Sequence, residues 1–561
     1  MRKTLFFIFL LALDVTLSAT TNAQTLPGSA DGARVKERFE KPVVPPAAKA
    51  RPAIGGASTL ASPQGAESTF FILRGINIEG MTAYGPERFQ QLYAGKIGNR
   101  VALSEIYDIA RQIADRYWLD GYSLSRVLVP EQSIRNGIVR LRVVEGFAAE
   151  VTVTGDYNDS SLVRGMVATV RDQKPLNMRD FEQAVLLLNN LPGISAKGII
   201  EPLPAARGEG AVRLLVKLEP KDKTAANISF DNYGSRYTGP YQLTASFARD
   251  NLLLPFSQTT LTAAVSTPLN ELQYIGLGQT AIVHPSGTEL GLSASYSNSE
   301  PGFRLKPQEV KSNAYDLTFS AMQPVLRSRA ENLSLRGEFN AKSVTTDALS
   351  TELYHDELRV LRLSGSYDLA EGLRGNNLIT LTLSQGIDVL GARETGSSNL
   401  SRLEGHSDFT KLQATLSRLQ ALPAQFSLLA AFSGQYAGSP LLSSEEFGYG
   451  GQNFGRAYDP SELTGDHGAA ASAELRYDGL HFSEAIFLQP YLFYDAGKVW
   501  NLDNGGEDEA GTSAGAGIRA YHDNGMSVNF GIAQPLSRAV AAPQSGNGKG
   551  PRVLFSVKGQ F

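Results

Sequence analysis

From Lys221 to Phe561 the chain alternates apolar and polar side chains in short segments that turn residues separate. Segments such as 241–247 and 426–432 carry an apolar side chain at every second position, which is the period of a half-buried β-strand. A soluble β-sandwich of this length would normally be subdivided, yet no linker interrupts the pattern. A membrane barrel, with one face against lipid and the other around a polar lumen, explains it better, and we predict about sixteen antiparallel strands.

The N-terminal residues 1–23 have the three parts of a secretory signal peptide. Arg2 and Lys3 form the basic start, Leu5–Leu13 is an apolar run, and Thr21-Asn22-Ala23 is a small-residue cleavage site. The run is too short to span a membrane, and a buried N-terminal helix is the alternative. We therefore expect the protein to leave the cytoplasm. Its lack of Cys suits an oxidising compartment and excludes disulfides and Cys-based metal sites.

Residues 24–68 are polar and rich in Pro, Ala and Gly, which predicts a short helix followed by a flexible linker. The helix, near residues 30–40, could begin at Ser29, and the prolines that follow it stop it. Val35 and Phe39 form its only apolar stripe, so it cannot anchor a core. Such a helix is either disordered or docked in a polar cavity elsewhere in the molecule.

Between these regions, residues 69–147 and 148–220 repeat one element order, β-α-α-β-β, at a period of about 75 residues. In the first copy we predict a strand at residues 70–80, helices at Pro86–Ala94 and Leu103–Asp120, and strands at Leu124–Pro130 and Ile138–Val144. In the second we predict a strand at residues 151–155, helices at Ser160–Val170 and Met178–Asn190, and strands at Ile194–Glu201 and Val212–Leu218. The fold class is therefore α+β modules followed by an all-β barrel.

A glycine-rich stretch, residues 447–460, lies between two strand patterns in the barrel region. Its many glycines exclude a helix and make it a poor strand, so we predict a long loop of specified shape. Arg456, set between Phe454 and Tyr458, is its one charged side chain before the Asp-Pro pair at its end. The position of this arginine suggests that it binds a particular acid.

The segment 491–497 contains a suitable acid. In a strand, Tyr491, Phe493 and Asp495 share one face, and the intervening Leu and Tyr suit the lipid face. Asp495 then points into the lumen, where a carboxylate is tolerated if it is solvated or paired. Because a guanidinium can bond a carboxylate through two hydrogen bonds, we hypothesise that Arg456 and Asp495 hold the loop in the lumen. The alternative is that both are solvated surface charges.

These features together resemble the two-partner secretion translocators of the outer membrane, the FhaC/ShlB type, and the repeated modules resemble POTRA domains. Residues 231–239 resemble the family's first barrel strand and turn, the glycine-rich loop resembles its loop with an Arg-Gly-Tyr or Arg-Gly-Phe tip, and residues 491–497 resemble the strand that receives this tip. In this chain Ala457 stands where the family usually has the tip glycine, and Gly455 precedes the arginine instead, as in a turn shifted by one residue. The resemblance implies the following site residues: the loop tip Gly455, Arg456, Ala457 and Tyr458, the wall partners Phe493, Asp495 and Gly497, and the motif residues Asp231, Asn232, Gly234, Gly465, Asp466 and Gly468.

The chain ends on a strand pattern, residues 552–561, whose alternate apolar side chains and terminal aromatic suit a lipid-facing last strand. We expect Phe555, Val557 and Phe561 to form the C-terminal strand pattern through which the barrel-assembly machinery inserts the protein.

The function that the resemblance implies is export of one large secreted partner of the adhesin, haemolysin or protease class. POTRA modules in the periplasm would bind the unfolded partner, the helix near residues 30–40 would plug the resting pore, and folding outside the cell would drive export, because the chain contains no G-x-x-x-x-G-K-[ST] motif. A factor that assembles other barrels is the second hypothesis, although such factors usually carry three or five POTRA modules. A passive porin leaves the modules unexplained.

An enzyme is the least expected class, and we expect no catalytic residue, metal or cofactor, since the motifs for them are missing from the sequence. The net charge of −4 gives no support for nucleic-acid binding.

Overall fold

The computed structural model describes residues 26–39, 60–134, 136–221, 223–371, 375–503 and 507–561. The predicted signal peptide and most of the predicted linker, residues 40–59, lie outside the described residues. Within the described ranges, none of the helices combines the length and the apolar character that crossing a membrane requires.

The first α/β module is built on a three-stranded sheet and one long helix. Its elements are β1 (Phe70–Ile72), β2 (Gly75–Glu79), β3 (Arg100–Ala102), α1 (Leu103–Leu119), β4 (Arg126–Leu128) and β5 (Ile138–Val144). The sheet order is β2-β5-β4, with β2 parallel to β5. Side chains from one face of α1, among them Ile106, Ile109 and Ile113, pack on Val139 and Leu141 of β5 to form its core.

Two details of the first module differ from the prediction. The single strand expected at residues 70–80 is two strands, because β1 pairs with β3 whereas β2 pairs with β5. The helix expected at residues 86–94 is a 3₁₀ helix, Pro86–Leu92, followed by a second short 3₁₀ segment, Ala94–Lys96. A segment of this length gains too few α-helical hydrogen bonds to offset the cost of helix nucleation, and short 3₁₀ turns are common in such connections.

The second module repeats this arrangement. Its elements are β6 (Phe147–Gly155), α2 (Ser161–Arg171), α3 (Met178–Leu188), β7 (Ile194–Pro202) and β8 (Ala211–Pro220). The sheet order is β6-β8-β7, with β6 parallel to β8, as β2 is to β5 in the first module. The two sheets therefore share one topology.

The described residues from Thr224 onward form a closed antiparallel barrel of sixteen wall strands. The wall strands are β9 (Thr224–Asp231), β10 (Tyr241–Asp250), β11 (Ser257–Thr267), β12 (Gln273–Ile282), β13 (Glu289–Ser299), β14 (Lys311–Arg327), β15 (Glu331–Ala348), β16 (Thr351–Glu371), β17 (Gly375–Gly386), β18 (Thr410–Ala421), β19 (Phe426–Ala437), β22 (His467–Tyr477), β24 (Ile486–Trp500), β25 (Glu509–His522), β26 (Met526–Pro535) and β27 (Arg552–Gln560). Three short strands complete the series: β20 (Phe447–Tyr449), β21 (Leu463–Gly465) and β23 (Leu480–His481). Two α/β modules followed by a sixteen-stranded barrel confirm the predicted fold class.

The wall separates an apolar outside from a polar inside. On β24, Leu492 and Tyr494 are 60% and 50% exposed on the outer face, whereas Phe493 and Asp495 are buried toward the lumen. The last strand follows the same rule: Val557 is exposed on the outer face and Phe555 is half-buried there, while Leu554 and Ser556 are buried. Phe561 follows β27 and is 77% exposed. The side chains that alternate along the sequence therefore face the outside and the lumen in turn.

One rim of the barrel carries the second module. The Asn251 side chain donates to the Pro192 carbonyl at 3.1 Å, and the Arg327 guanidinium donates to Asn190 Oδ1 at 2.7 Å. Arg329 forms an ion pair with Glu182 at 2.8 Å. We call this rim, at the turns that follow β10 and β14, the module-side rim, and we call the opposite end of the barrel the far rim.

Candidate functional site in the barrel lumen

The connection between β19 and β22, residues 438–466, starts at the far rim and folds back into the lumen. Its two arms pair as the ribbon β20–β21, with Tyr449 opposite Leu463. The outgoing arm then bends at Gly450 and Gly451, whose φ angles of +121° and +101° are rarely adopted by L side chains, and the chain reverses between Gly451, whose N–H donates to the Tyr458 carbonyl at 3.2 Å, and Tyr458. The predicted loop of specified shape is therefore a hairpin with a glycine-built bend. We call residues 438–466 the lumen loop.

The buried ring of Tyr449 fixes the loop against the wall. A Cβ added at Gly497 of β24 would lie 2.2 Å from its ring, and one added at Gly511 of β25 would lie 2.9 Å from it. A Cβ at Gly455 of the loop itself would lie 2.7 Å away. The predicted wall residue Gly497 thus accommodates the ring of Tyr449, which is not among the predicted site residues, rather than the arginine.

At the loop tip, Arg456 and Asp495 are in direct contact. The backbone N–H and the Nε of Arg456 both donate to Asp495 Oδ2 at 3.0 Å, and its Nη2 donates to Oδ1 at 2.8 Å. The guanidinium also lies over the Phe493 ring, with Cζ 3.6 Å from the centroid. Both side chains are largely withdrawn from solvent, 11% exposed for Arg456 and 0% for Asp495. We call residues 455–458 together with Asp495 the tip latch.

A second carboxylate, Glu474 of β22, organises the charges around the latch. It accepts from Nη1 of Arg456, from Nε of Arg476 at 2.7 Å, and from both terminal nitrogens of Arg519 at 2.8 and 3.0 Å. Ser472 donates to Asp495 Oδ1 at 2.8 Å. Two buried acids therefore share three arginines, so Arg456 keeps a counter-charge even if one acid is lost.

Sequence reasoning missed Glu474, Ser472 and Arg519. Parity along β22 could have found the first two, because alternate residues of a strand share one face and Ala470, Ser472 and Glu474 all face the lumen. Arg519 carried no comparable pattern, since β25 pairs with β24 in a register that the sequence does not reveal.

The turn at the tip depends on Gly455 rather than on residue 457. Gly455 has φ +74°, and its carbonyl accepts the Tyr458 N–H at 2.8 Å, which closes a β-turn around Arg456 and Ala457. Ala457 is fully buried and packs against Tyr491 and Phe493 of β24. A residue without a side chain would leave this contact empty, whereas alanine fills it.

The residues after the tip tie the loop to the last strand. The Tyr458 hydroxyl donates to the Thr512 carbonyl at 2.9 Å. Arg552 of β27 donates to Asp459 Oδ1 at 2.9 Å and to the Gly234 carbonyl at 2.8 Å. One arginine thereby joins the lumen loop to the turn between β9 and β10.

The predicted motif at residues 231–239 lies at the seam between the first and last wall strands. Asn232 donates to the Val553 carbonyl at 2.8 Å and accepts the Phe555 N–H at 2.8 Å. Asp231 stands opposite Ser556 in the ladder. A Cβ at Gly234 would lie 2.0 Å from the Gly239 carbonyl oxygen. These residues close the barrel. They meet the lumen loop through Arg552 and through Tyr233, which packs against the apolar cluster that contains Ala457.

The motif residues Gly465 and Asp466, at the end of the lumen loop, and Gly468, at the start of β22, lie nearer the far rim. Gly468 leaves room for Phe447, since a Cβ there would lie 2.0 Å from its ring. A Cβ at Gly465 would lie 2.9 Å from the Trp500 carbonyl oxygen. Asp466 is fully buried and accepts from Leu441 of the lumen loop and from Arg402 and Leu502 of two neighbouring loops, none of which belongs to the tip latch.

The helix expected near residues 30–40 is a 3₁₀ helix, Gly32–Phe39, inside the lumen. Arg34 donates to the carbonyls of Ser443 and Glu446 in the lumen loop at 2.7 and 3.0 Å. Tyr354 of β16 donates to Asp31 at 2.7 Å. Of the two alternatives drawn from the sequence, disorder and docking in a polar cavity, the geometry corresponds to docking. We call residues 26–39 the lumen helix segment.

Between the tip latch and the module-side rim, the lumen contains a cavity of about 540 Å³. Its lining includes charged or polar side chains of the wall and the two occupying segments, among them Glu37, Gln452, Arg476, Arg519 and Asn529. The occupied part of the lumen therefore adjoins a polar space.

Comparison with known proteins decides the family. A family model described as haemolysin secretion/activation protein ShlB/FhaC/HecB matches residues 210–520, and a ShlB-type POTRA model matches residues 71–146. The chain belongs to this family. The family predicted from the sequence is thereby confirmed.

Similar curated proteins support the assignment over most of the chain. The heme/hemopexin transporter protein HuxB of Haemophilus influenzae is 24% identical over 461 residues, which is 79% of this chain and 80% of that protein. The outer membrane transporter CdiB of Dickeya dadantii is 26% identical over 472 residues, 83% of each chain. Among solved structures, CdiB from Escherichia coli has the same fold, with a TM-score of 0.73 at 17% identity over 91% of this chain and 93% of that one.

Membership in this family orients the molecule. Its members are outer-membrane barrel transporters with periplasmic POTRA domains, so the module-side rim faces the periplasm and the far rim is extracellular. The apolar outer face of the wall then lies against lipid.

Proposed function

We propose that the protein exports one large partner protein across the outer membrane, through its own barrel lumen. The observation that carries this proposal is a polar lumen filled by two segments of the same chain, the lumen loop and the lumen helix segment. Both are held by ion pairs and hydrogen bonds as well as by small apolar clusters, and the polar contacts can be exchanged for those of a passing chain. The relatives' names, heme/hemopexin transporter, hemolysin transporter and outer membrane transporter, support a secreted partner.

The POTRA modules would bind the partner in an extended, unfolded form. Among the described residues, β6 and β7 each pair only with the central strand β8, so each leaves one sheet edge for an added strand. Backbone hydrogen bonds at such an edge give affinity with little demand on sequence. This mode suits a carrier that must hold a long chain of varied sequence.

Export would proceed without ATP. The chain has no phosphate-binding loop motif, and the periplasm supplies no nucleotide to an outer-membrane protein. Folding of the partner outside the cell would make its passage irreversible, since a folded domain cannot re-enter the pore.

In the resting pore, the tip latch would hold the lumen loop while the lumen helix segment fills the space beside it. Lipid surrounds the outer face, and the C-terminal pattern at Phe555, Val557 and Phe561 would direct the barrel-assembly machinery to insert the protein. The exposure of Val557 and Phe561 on the outside of the last strand supports that expectation.

Deletion of the gene, followed by profiling of secreted and outer-membrane proteins, tests the proposal. We expect one large exoprotein to disappear from the medium and accumulate or be degraded in the periplasm, with other outer-membrane proteins unchanged. A general loss of outer-membrane barrels would favour a factor that assembles other barrels. No change in either fraction would contradict export.

A further inference from the structure

A small apolar core closes the extracellular end of the lumen. Leu358 and Val360 of β16 point inward and are fully buried. They pack with Leu400, Phe409 and Leu441 from two loops at the far rim. The loop of residues 387–409 and the lumen loop therefore meet inside the barrel mouth rather than spreading over its edge.

Arg402, only 7% exposed, lies among these loops. Its Nη1 and Nη2 donate to the two carboxylate oxygens of Asp466 at 2.5 and 3.1 Å. Nη2 also donates to Asp503 at 2.7 Å, and Nη1 lies 3.1 Å from the Glu446 carboxylate. One side chain from residues 387–409 thus contacts the lumen loop and the loop of residues 501–508.

Asp466 binds the same loops through backbone groups. It accepts the Leu441 N–H at 2.7 Å and the Leu502 N–H at 2.8 Å, and it is fully buried. The Leu441 carbonyl in turn accepts from Arg402 at 2.8 Å. Each member of the pair is therefore bonded to at least two loops, and loss of either member would release more than one of them.

The charges around Arg402 are unequal. Three carboxylates, those of Asp466, Asp503 and Glu446, face one guanidinium. Without the arginine, the almost fully buried carboxyl groups of Asp466 and Glu446 would lose the cation that they share, although Arg34 also acts on Glu446. Loss of Arg402 would therefore weaken the contacts that hold these loops together.

We propose that Arg402 and Asp466 form an extracellular clasp that closes the exit of the pore, independently of the tip latch. The two sites share no side chain: Arg402 contacts loop residues at the far rim, whereas Arg456 contacts the wall strands β22 and β24. This inference rests on the proposed function for one point only, that the molecule leaving the pore is an exported protein chain. The exported chain would have to break the clasp to emerge, so Arg402 is a positioning residue that sets how easily the pore opens outward.

Cysteine labelling tests the clasp, because the natural chain has no cysteine. Gln452 lines the lumen cavity, so a Gln452→Cys variant would place one thiol behind the clasp. Whole cells are treated with a polyethylene-glycol maleimide that is too large for general porins. A Leu390→Cys variant, at a loop position that is 73% exposed, reports that surface thiols react normally.

We expect Arg402→Ala to increase the labelling rate of Cys at 452 by at least about tenfold, the equivalent of one lost charge-assisted hydrogen bond. Arg402→Lys should give an intermediate rate, because an ammonium keeps the charge but cannot bond both Asp466 oxygens and Asp503 together. Arg393→Ala is the matched control in the same loop, where the arginine donates to the Ser398 carbonyl, and it should leave the rate unchanged.

Heat-modifiable migration on gels verifies that each barrel is folded. If Arg402→Ala does not assemble, Arg402→Lys decides the question, and an unchanged rate in that variant would overturn the clasp. An unchanged rate in a folded Arg402→Ala barrel would overturn it as well. Labelling does not require a partner protein, so it separates failure of the clasp from failure of the proposed export, which the deletion experiment detects.

Discussion

Substitution of Asp495 by Asn probes the tip latch with the least change of shape. Asn is isosteric with Asp, so the strand β24 and the cavity around residue 495 should persist. The change removes the charge that Arg456 meets through its backbone N–H, its Nε and its Nη2. The Phe493 contact and the Glu474 contact of Arg456 remain.

The size of the effect follows from those contacts. A hydrogen bond to a charged group contributes about 1.5–3 kcal/mol and a neutral one about 0.5–1.5 kcal/mol. The guanidinium bond to the remaining amide oxygen should therefore weaken by roughly 1–1.5 kcal/mol, and the bond that would meet the NH₂ group, which cannot accept, is lost at a cost of about 1.5–3 kcal/mol. Removing one partner of a buried pair costs about 3–5 kcal/mol when the other charge is left alone, but Glu474 prevents that here. We therefore expect loop docking to weaken by about 2.5–4.5 kcal/mol, a roughly 60- to 1,600-fold change in equilibrium.

A thiol at residue 457 measures this equilibrium directly. Ala457 is fully buried under the tip, so in an Ala457→Cys variant the thiol reacts only when the loop leaves the wall. If docking and undocking are fast relative to the reaction, the labelling rate by a small thiol reagent is proportional to the undocked fraction. The ratio of rates with and without Asp495→Asn then gives the change in docking free energy.

A labelling rate that rises less than about threefold, which corresponds to less than about 0.7 kcal/mol, would refute this account of the latch. The control is Asp508→Asn, which removes an exposed acid that pairs with Lys498 at 3.5 Å in the loop after β24. Because exposed pairs contribute little, this control should leave the rate at 457 unchanged.

Three further outcomes follow from the structure. Gly497→Ala should displace the Tyr449 ring, whose nearest atom would lie 2.2 Å from the new Cβ, and so lower secretion and raise labelling at residue 457, whereas Gly337→Ala, with nothing within 4 Å, should do neither. Arg34→Ala removes both bonds from the lumen helix segment to the lumen loop and should raise the open probability in planar bilayers, and Lys36→Ala, which loses one partly exposed pair, should raise it less. In the first module, burial raises the pKa of Glu145, but hydrogen bonds from Thr82, Tyr117 and two backbone amides outweigh it and hold the pKa below its ordinary 4.5. A pKa that is lower in the folded than in the unfolded state stabilises the fold above the unfolded pKa, and this stability is lost as the pH falls. We therefore expect the free energy of unfolding of this module, measured in urea by Trp118 fluorescence in a Trp500→Phe background, to decrease below pH 4.5. The decrease should be smaller in Glu145→Gln.

The fold could be predicted from the sequence because apolar side chains recur with the short period of a strand or of a helix in each segment. Alternation in β24 predicted correctly which residues face outward, since Leu492 and Tyr494 lie outside and Asp495 inside. The helix α1 follows from the spacing of Ile106, Ile109 and Ile113. The 3₁₀ helix at Pro86–Leu92 could not be predicted in this way, because packing rather than intrinsic propensity determines the conformation of so short a segment.

The site was less accessible to sequence reasoning. Arg456 and Asp495 could be chosen as candidates from their charges and from the alternation of side chains along one strand, which are properties of short segments. Alternation along β22 could have placed Glu474 in the lumen but not named its partners. Arg519 and Arg402 act through contacts between strands or loops that are distant in the chain, and no single segment carries that information. Gly455 shows a different limit: its role depends on a positive φ, which the sequence permits at several glycines but does not assign.

Photo-crosslinking during secretion tests export through the lumen most directly. A photoreactive amino acid is placed at Asn529, whose side chain lines the lumen cavity, and for comparison at the neighbouring Phe530, which is 49% exposed on the outer face. Cells that produce the exoprotein identified by the deletion experiment are irradiated while secretion is under way. Passage through the pore predicts crosslinks to that exoprotein at position 529 and none at position 530. Crosslinks at 530 alone, or at neither position while secretion continues, would contradict it.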